Sequence, residues 1–296
     1  MPAVTVLIPA RNAAATLAQT LDSLAAQTFR DFDVLLVDDA STDGTAALAD
    51  SYAGRLPVRV LPLATNQGVA GALNQGLARI DSPLVARLDA DDLARADRLE
   101  QQVAFLQQHA DVAACSSAME LFYPEGDQAS QVLHKPLTDA AIKTALVQYC
   151  ALSHPACMLR RSYFDTVGLY DPALDFAEDY DLWCRGALQG QVFANLPEPL
   201  TRYRQHRGQV AQQKRQLQYE RDLQVKRRYI AALLGEASCG HLPEFFHLLS
   251  QFTSREVAAR VLAQSMPLLL RLGRRVADPA LYDSLVAQCV ARHLVA

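Results

Sequence analysis

The fold is decided by the stretch VTVLIPARNAAATLAQTL, which spans residues 4–21. Val4–Ile8 is a run of β-branched and aliphatic residues typical of a buried strand, and Pro9-Ala10-Arg11-Asn12 interrupts it. Leu17 and Leu21 then recur at the spacing of one helical face. The stretch therefore predicts a strand, a polar loop and a helix, in that order.

The same pattern returns further along the chain. Strands are predicted at residues 34–37, 58–63 and 84–88, each followed by a helix. This alternation predicts an α/β fold with a Rossmann-like, mainly parallel sheet flanked by helices and a ligand crevice at the carboxyl ends of the strands. After residue 112 the alternation weakens, and beyond about residue 210 the pattern predicts helices alone. For the second half, the prediction gives strands at 119–122 and 156–159 and helices at 138–149 and 178–188.

Charge is distributed unevenly along the 296 residues. Residues 1–200 carry 13 basic and 25 acidic side chains, whereas residues 201–296 carry 15 basic and 7 acidic ones. Because nucleic-acid binding needs clustered positive charge, the acidic part argues against a nucleic-acid partner. An anionic ligand in that part of the chain would require a metal ion.

Cysteine usage and the N-terminus predict a cytoplasmic protein. The six cysteines form no C-x-x-C pair, so we expect reduced core residues rather than disulfides or a zinc site. The N-terminus lacks the basic and apolar regions of a signal peptide. The apolar runs are far shorter than the roughly 20 residues that span a bilayer. We therefore expect a soluble or peripheral protein.

Carboxylates dominate the predicted crevice, and the phosphate-binding motifs G-x-G-x-x-G and Gly-Lys-Ser/Thr are missing from it. Asp89 and Asp91 follow a strand and lie two residues apart, so both side chains face one side of an extended segment. Such a D-x-D pair suits Mg²⁺ or Mn²⁺ shared with substrate phosphates. The alternative is that these residues only cap the next element.

A second acidic pair, Asp38-Asp39, follows an earlier strand. Neighbouring strand residues face opposite sides, so only one of the two carboxylates is expected to meet a ligand, where it would accept an N–H from a nucleotide base. The alternative is an Asx-turn that leads into the next helix, which Ser41, Thr42 and Gly44 favour equally.

Taken together, the motifs resemble those of the family 2 glycosyltransferases, which have the GT-A fold and transfer a sugar from a nucleotide donor with inversion. The resemblance covers about residues 1–207, in the family's order and spacing. It rests on VTVLIPARNAAATL, LDSLAAQTF, DVLLVDDASTDGT, NQGVAGALNQGLA, LVARLDADD and FAEDYDLWCRGALQG.

The resemblance implies a role for each motif residue of the donor side. It implies that the base and ribose of a nucleotide, most readily UDP, lie among Pro9, Arg11, Asn12 and Asp39. It further implies that Asn66 and Gly68 flank the nucleotide, and that Asp89 and Asp91 meet the ribose and the metal-bound diphosphate.

Glu178-Asp179 matches the family's E-D motif, whose Asp is the general base, so this role is carried to Asp179. An acceptor hydroxyl must lose its proton as it attacks the anomeric carbon. A metal-bound diphosphate leaves as a stabilised anion, so a second acid is unnecessary and inversion is expected. The alternative is that the pair only complements the helix dipole.

Three further residues are weaker candidates. Trp183 lies four residues after Asp179 and would form an acceptor wall together with Glu178, although core packing is the more common role for a lone aromatic residue. His206 lies where the family often has a histidine and is a candidate metal ligand, with a surface histidine as the alternative.

The predicted domains are a catalytic domain at 1–207 and a helical region at 208–296. From Arg202 to Arg228 there are nine basic and two acidic residues. Basic amphipathic helices contact anionic membranes, and the acceptors of related enzymes are often glycans or lipid-linked glycans of the cell envelope. The alternative is that these helices pack on the sheet or form a homodimer.

Two other functions fit parts of the pattern. A nucleotidyltransferase would also use carboxylates and a divalent ion, but it normally has a glycine-rich basic loop near the first strand, and the E-D pair would then have no role. A catalytically silent sugar-nucleotide-binding scaffold would not need both intact motifs. We therefore expect an inverting glycosyltransferase dependent on Mn²⁺ or Mg²⁺.

Overall fold

The computed structural model describes residues 1–124, 129–205, 215–247 and 255–295. Within these ranges the chain forms nine strands and eleven α-helices. The strands are β1 (Val4–Ala10), β2 (Phe32–Asp38), β3 (Val58–Pro62), β4 (Leu84–Arg87), β5 (Leu93–Ala94), β6 (Val112–Phe122), β7 (Gln131–Leu133), β8 (Met158–Arg160) and β9 (Val192–Arg204). The helices are α1 (Ala14–Ala25), α2 (Thr45–Asp50), α3 (Gly68–Leu77), α4 (Arg98–Gln108), α5 (Asp139–Ala145), α6 (Ser162–Val167), α7 (Glu178–Leu188), α8 (Arg215–Leu234), α9 (Leu242–His247), α10 (Arg255–Gly273) and α11 (Pro279–Val295).

All nine strands form one mixed sheet in the order β3-β2-β1-β4-β8-β6-β9-β5, and β7 pairs with β6. The predicted sheet flanked by helices is confirmed, and the predicted parallel βαβ pattern corresponds to β1–β4, where every pairing is parallel. The sheet then changes direction because β8 pairs antiparallel with β4 and β6. The D-x-D motif follows β4, which is the strand at this change of direction.

Hydrophobic clusters lie on both faces of the sheet. Every residue of β1 is buried, as expected for a central strand covered on both faces. Val6 and Ile8 pack with the leucines of α1 and α4 on one face, whereas Leu7 points to the other face. The sheet thereby holds the carboxyl end of β1 rigidly between two layers.

The C-terminal helices share the second of these clusters. Val225, Tyr229 and Ile230 of α8 belong to the same buried cluster as Trp183 of α7 and Leu146. This is the packing arrangement that the sequence offered as the alternative to a membrane-facing tail. The predicted domain boundary, between residues 207 and 208, lies outside the described residues. Among the helices that are described, none combines the length and the apolar character needed to cross a bilayer.

Candidate active site

The loops after β1 and β2 are joined by hydrogen bonds of Asn12. Its backbone N–H donates to Ser41 Oγ at 2.9 Å, and its side-chain Oδ1 accepts the backbone N–H of Thr42 at 2.8 Å. Asn12 adopts a φ of 50°, which asparagine tolerates better than most residues. Pro9 is buried within β1, whereas Arg11 is exposed at the rim. The two loops are therefore fixed to each other, and Arg11 is an exposed basic side chain beside them.

Asp39 joins the end of β2 to the start of α3. Its Oδ1 accepts the N–H of Gln67 at 2.6 Å and its Oδ2 accepts the N–H of Gly68 at 3.0 Å. The Oδ1 of Asn66 also accepts the N–H of Gly68, at 3.1 Å. Burial raises the pKa of the nearby Asp175, and the backbone N–H groups of Ala70 and Val69 oppose that rise. Asp39 therefore holds the loop that the motifs assigned to the nucleotide, and Asp175 lies beside it.

Three carboxylates meet directly after β4. One ligand oxygen from each of Asp89, Asp91 and Asp92 lies within 4.8 Å of the others. An all-oxygen donor set fits a hard divalent cation such as Mg²⁺ or Mn²⁺. Asp92 is fully buried, and its Oδ1 accepts the backbone N–H of Arg204 at 2.9 Å, so Asp89 and Asp91 are the more accessible pair. The donor set therefore fits the predicted divalent cation.

Two arginines that the motifs did not assign to this place hold the acidic loop. The guanidinium of Arg87 forms an ion pair with Oδ1 of Asp89. Arg204, at the end of β9, donates from Nε to the carbonyl oxygen of Asp91 at 2.7 Å. Both arginines are 5% exposed. Burial raises the pKa of Asp89, and the charge of Arg87 opposes that rise.

The E-D pair opens α7, as predicted. Oδ1 of Asp179 accepts the backbone N–H of Tyr180 at 2.7 Å, and its Oδ2 accepts the thiol of Cys150 at 3.4 Å. Burial raises the pKa of Asp179, and these hydrogen bonds and the charge of Arg87 oppose the rise. Glu178 is 7% exposed, and burial followed by repulsion from Asp179 raises its pKa to about 8. A pKa of about 8 favours the protonated form of Glu178 at neutral pH. Asp179 is the more accessible carboxyl group of the two.

The structure brings the base candidate and the acidic loop close together. The charge of Asp179 is near enough to raise the pKa of Asp89, and the guanidinium of Arg87 acts on both carboxylates. Lys135 also lowers the pKa of Asp179, and it donates to the carbonyl oxygen of Cys150 at 2.8 Å. Sequence reasoning missed Lys135 and Cys150 because only the tertiary fold brings them to the motifs, and it missed Arg87 because nothing local marks its side chain as buried.

Trp183 is not available to an acceptor. Its side chain is fully buried among Tyr163, Phe193 and His154, with ring centroids 6.1–6.2 Å apart. A helix residue four positions after Asp179 shares its face, but this part of the face points into the core. The prediction of an acceptor wall is therefore wrong for Trp183, and the core-packing alternative holds. His206 lies outside the described residues.

The basic C-terminal helix contributes charges to the back of α7. Lys226 is 3% exposed and lies over the ring of Tyr180, 6.0 Å from its centroid. Asp222 faces the same region, and burial raises its pKa to about 6, with the charge of Asp179 acting in the same direction. Part of the basic segment is therefore buried against α7.

Comparison with known proteins agrees with this architecture. The family model "Glycosyl transferase family 2" matches residues 5–168. A PGL/p-HBAD biosynthesis glycosyltransferase of Mycobacterium bovis is 33% identical over 204 residues, which are 68% of this chain and 73% of the relative. The amylovoran biosynthesis glycosyltransferase AmsE of Erwinia amylovora is 29% identical over 189 residues, which are 64% of this chain and 70% of AmsE.

Solved structures share the fold. TarS of S. aureus in complex with UDP superposes with a TM-score of 0.65 at 19% identity, over 98% of this chain and 88% of TarS. The mannosyltransferase PcManGT of Pyrobaculum calidifontis, in complex with GDP-Man and Mn²⁺, gives a TM-score of 0.61 at 20% identity, over 98% of this chain and 87% of PcManGT. The GT-A fold is confirmed, and the chain belongs to glycosyltransferase family 2.

Proposed function

We propose that this glycosyltransferase moves a sugar from a nucleoside-diphosphate donor, a UDP-sugar first of all, to an acceptor hydroxyl with inversion at the anomeric carbon. The observation that carries the proposal is the carboxylate cluster of Asp89, Asp91 and Asp92 together with the nearness of Asp179, whose charge raises the pKa of Asp89. A donor held by the cluster would present its anomeric carbon to an acceptor held by Asp179.

The donor nucleotide binds across the carboxyl ends of β1 and β2 in this proposal. Pro9 and Asn12 shape the floor, and the exposed Arg11 contacts the nucleotide. Asp39 accepts an N–H of the base with the lone pairs that its two backbone hydrogen bonds leave free. Asn66 and Gly68 close the pocket from the α3 side. The complexes of TarS with UDP and of PcManGT with GDP-Man support a nucleotide-sugar donor.

The diphosphate is bound at the D-x-D motif. Asp91, with Asp89, would hold a divalent ion, Mn²⁺ or Mg²⁺, and His206 remains a predicted further ligand. A divalent ion supplies charge stabilisation to the departing diphosphate. The ion in PcManGT is Mn²⁺, which supports this class of cation. The ligand oxygens of this cluster lie within 4.8 Å of one another, so small side-chain rotations would let them share one ion.

Asp179 accepts the proton of the acceptor hydroxyl. Its raised pKa makes its carboxylate a stronger base than that of an exposed aspartate. Glu178, protonated at neutral pH, is able to donate a hydrogen bond to the acceptor. No carboxylate is required as a nucleophile, so a single displacement with inversion follows.

The acceptor is a glycan or a lipid-linked glycan of envelope or extracellular polysaccharide synthesis. The name of AmsE, an amylovoran biosynthesis enzyme, supports this class. We propose a cytoplasmic enzyme that works at the inner face of the membrane, with contact through the basic residues around α8. A homodimer through the C-terminal helices is the competing arrangement. Vesicle flotation tests the membrane contact, and sedimentation equilibrium tests the homodimer.

The test is turnover of the full chain with a panel of nucleotide sugars, Mn²⁺ and candidate acceptors. We expect release of the nucleoside diphosphate and loss of turnover in EDTA. The NMR signal of the anomeric proton in the product should show the inverted anomeric configuration. Asp91→Asn should weaken UDP binding in Mn²⁺ by about tenfold or more, with no change in EDTA. Retained anomeric configuration would refute the single displacement, and full activity in EDTA would refute the role of the metal.

A further inference from the structure

Arg87 is the last residue of β4 and lies two residues before Asp89. Its side chain is 5% exposed. Burial of a guanidinium costs free energy unless it is paired, so a buried arginine at this position needs a compensating partner. The partner is Asp89, which forms an ion pair with Nη1 of Arg87.

The contacts of Arg87 differ from those of a structural arginine nearby. Arg98, also buried, donates to the carbonyl oxygens of Arg87 and Cys157, at 2.7 and 3.2 Å, and to Gln102. The Nε and Nη1 of Arg87, by contrast, are buried without a hydrogen-bond partner within the described part of the chain, and Nη1 makes the ion pair with Asp89. Few buried polar groups in proteins are left in this way. The position of Arg87 is therefore dominated by its charge interactions.

The guanidinium of Arg87 acts on the carboxylates of both catalytic motifs. It opposes the burial-induced rise in pKa of Asp89 and Asp92 on the donor side. It does the same for Glu178 and Asp179 on the acceptor side. Lys135 serves the acceptor side, where its charge lowers the pKa of Asp179.

We propose that Arg87 is a positioning residue on the donor side of the active site: its buried guanidinium pairs with the Asp89 carboxylate and holds it within the D-x-D motif. This inference rests on the proposed function. Without the positive charge of Arg87, an anionic nucleotide would meet a more negative site, whereas a divalent cation would meet less repulsion. A lysine would keep the charge and lose the planar guanidinium.

Weaker nucleotide binding together with equal or tighter Mn²⁺ binding would distinguish the loss of a positive charge from a simple loss of packing. The experiment compares Arg87→Met and Arg87→Lys with the wild-type chain. Arg160→Met is the matched control, because the side chain of Arg160 donates to the carbonyl oxygens of Leu106, His109 and Val112. The measurements are the UDP dissociation constant in EDTA by calorimetry, the Mn²⁺ dissociation constant by electron paramagnetic resonance, and kcat and KM for the donor.

For Arg87→Met we expect about tenfold weaker UDP binding in EDTA and equal or tighter Mn²⁺ binding. Its kcat should fall about 100-fold. For Arg87→Lys we expect both dissociation constants within about threefold of wild type and a kcat still about tenfold lower. Arg160→Met should leave all the constants unchanged in the folded fraction.

Wild-type kcat in Arg87→Lys overturns the proposal, and this variant decides the question if Arg87→Met does not fold. A parallel loss of UDP and Mn²⁺ affinity in Arg87→Met also overturns it, because that is the signature of lost structure. If the wild-type chain itself neither binds UDP nor turns over a donor, the proposed function fails and the inference falls with it. If the wild type is active and the Arg87 variants keep its binding constants and kcat, the inference alone is refuted.

Discussion

The carboxylate of Asp39 accepts the backbone N–H of Gly68 at 3.0 Å and so joins the end of β2 to the first residue of α3. Gly68 adopts a φ of +72°, and a Cβ at this position would lie 2.9 Å from Oδ2 of Asp175. The helix start thus lies between two carboxylates, and a side chain at this position would displace that of Asp175.

Gly68→Ala should destabilise the chain by more than the cost of its backbone conformation. Gly190→Ala is the matched control, because Gly190 has a similar φ of +76° and a Cβ added there would meet nothing within 4 Å among the described residues. We expect a loss of about 1–2 kcal/mol in the free energy of unfolding for the control and a larger loss for Gly68→Ala. Urea denaturation measures both, and equal losses would show that Asp175 yields without cost. The KM for the donor should rise only in Gly68→Ala.

Asp179→Asn should separate donor binding from the chemical step. Asparagine keeps the size of the side chain and cannot accept the acceptor's proton. The expected loss in kcat is about 10²- to 10⁴-fold, with an unchanged UDP dissociation constant. Asp165→Asn controls for the loss of one negative charge, since its side chain is 68% exposed on α6. A variant with wild-type kcat on an authentic acceptor would disprove the assignment of the base.

Cys150→Ala should move the pH profile of the enzyme. The thiol of Cys150 donates to Oδ2 of Asp179 and lowers the pKa of that carboxyl. Its removal raises the pKa of the base, so activity should be lost at a higher pH as the solution is acidified. The expected displacement of the acid limb of kcat is about half a pH unit. Cys289→Ala, at a cysteine of α11, should leave the limb in place, and an unmoved limb in Cys150→Ala would contradict the role of the thiol.

Glu178→Gln should flatten the dependence of stability on pH. Burial and Asp179 raise the pKa of Glu178 from 4.5 to about 8 in the folded chain, so the folded state retains a proton that the unfolded state releases. Wild-type stability should therefore fall as pH rises from about 5 to about 8, by up to a few kcal/mol. The glutamine variant cannot ionise and should lose less over this window. Denaturation at three pH values checks this, with the exposed Glu198→Gln as the control, and identical slopes would refute the shift.

The first four strands were predictable because each is encoded locally. A strand such as β1 is a continuous apolar run, and the leucines of α1 recur at helical spacing, so neither depends on distant residues. The carboxylates that follow β2 and β4 were predictable for the same reason. Their place at strand ends is set by the local pattern, and parallel strands bring those ends to one edge.

The longest strand was missed for a physical reason. β9 contains Pro197 and Pro199, which cannot donate to a strand ladder and are read as breakers in a sequence. In the structure they fall where the pairing with β6 shifts register, so the ladder is interrupted at the place where they stand. Two-residue β5 was also missed, because it exists only through its pairing with β9.

The environment of the site could not be predicted from the sequence. An arginine in a sequence is normally solvated, and nothing local marks Arg87 or Arg204 as buried. Trp183 shows the same limit. Its spacing from Asp179 correctly predicts a shared helix face, but the aromatic residues packed around its side chain place it in the core. Motif spacing fixes which residues share a surface, whereas burial depends on what the rest of the chain brings to that surface.

The hydrogen bond from Arg204 to the carbonyl oxygen of Asp91 spans 113 residues of chain. Contacts between such distant residues form late, since the loop between them must first be closed. A nascent chain that has left the ribosome only as far as α7 already possesses both acidic motifs but lacks the strand that fixes the loop of the first. The acidic loop therefore reaches its final arrangement late in synthesis, when β9 joins the sheet.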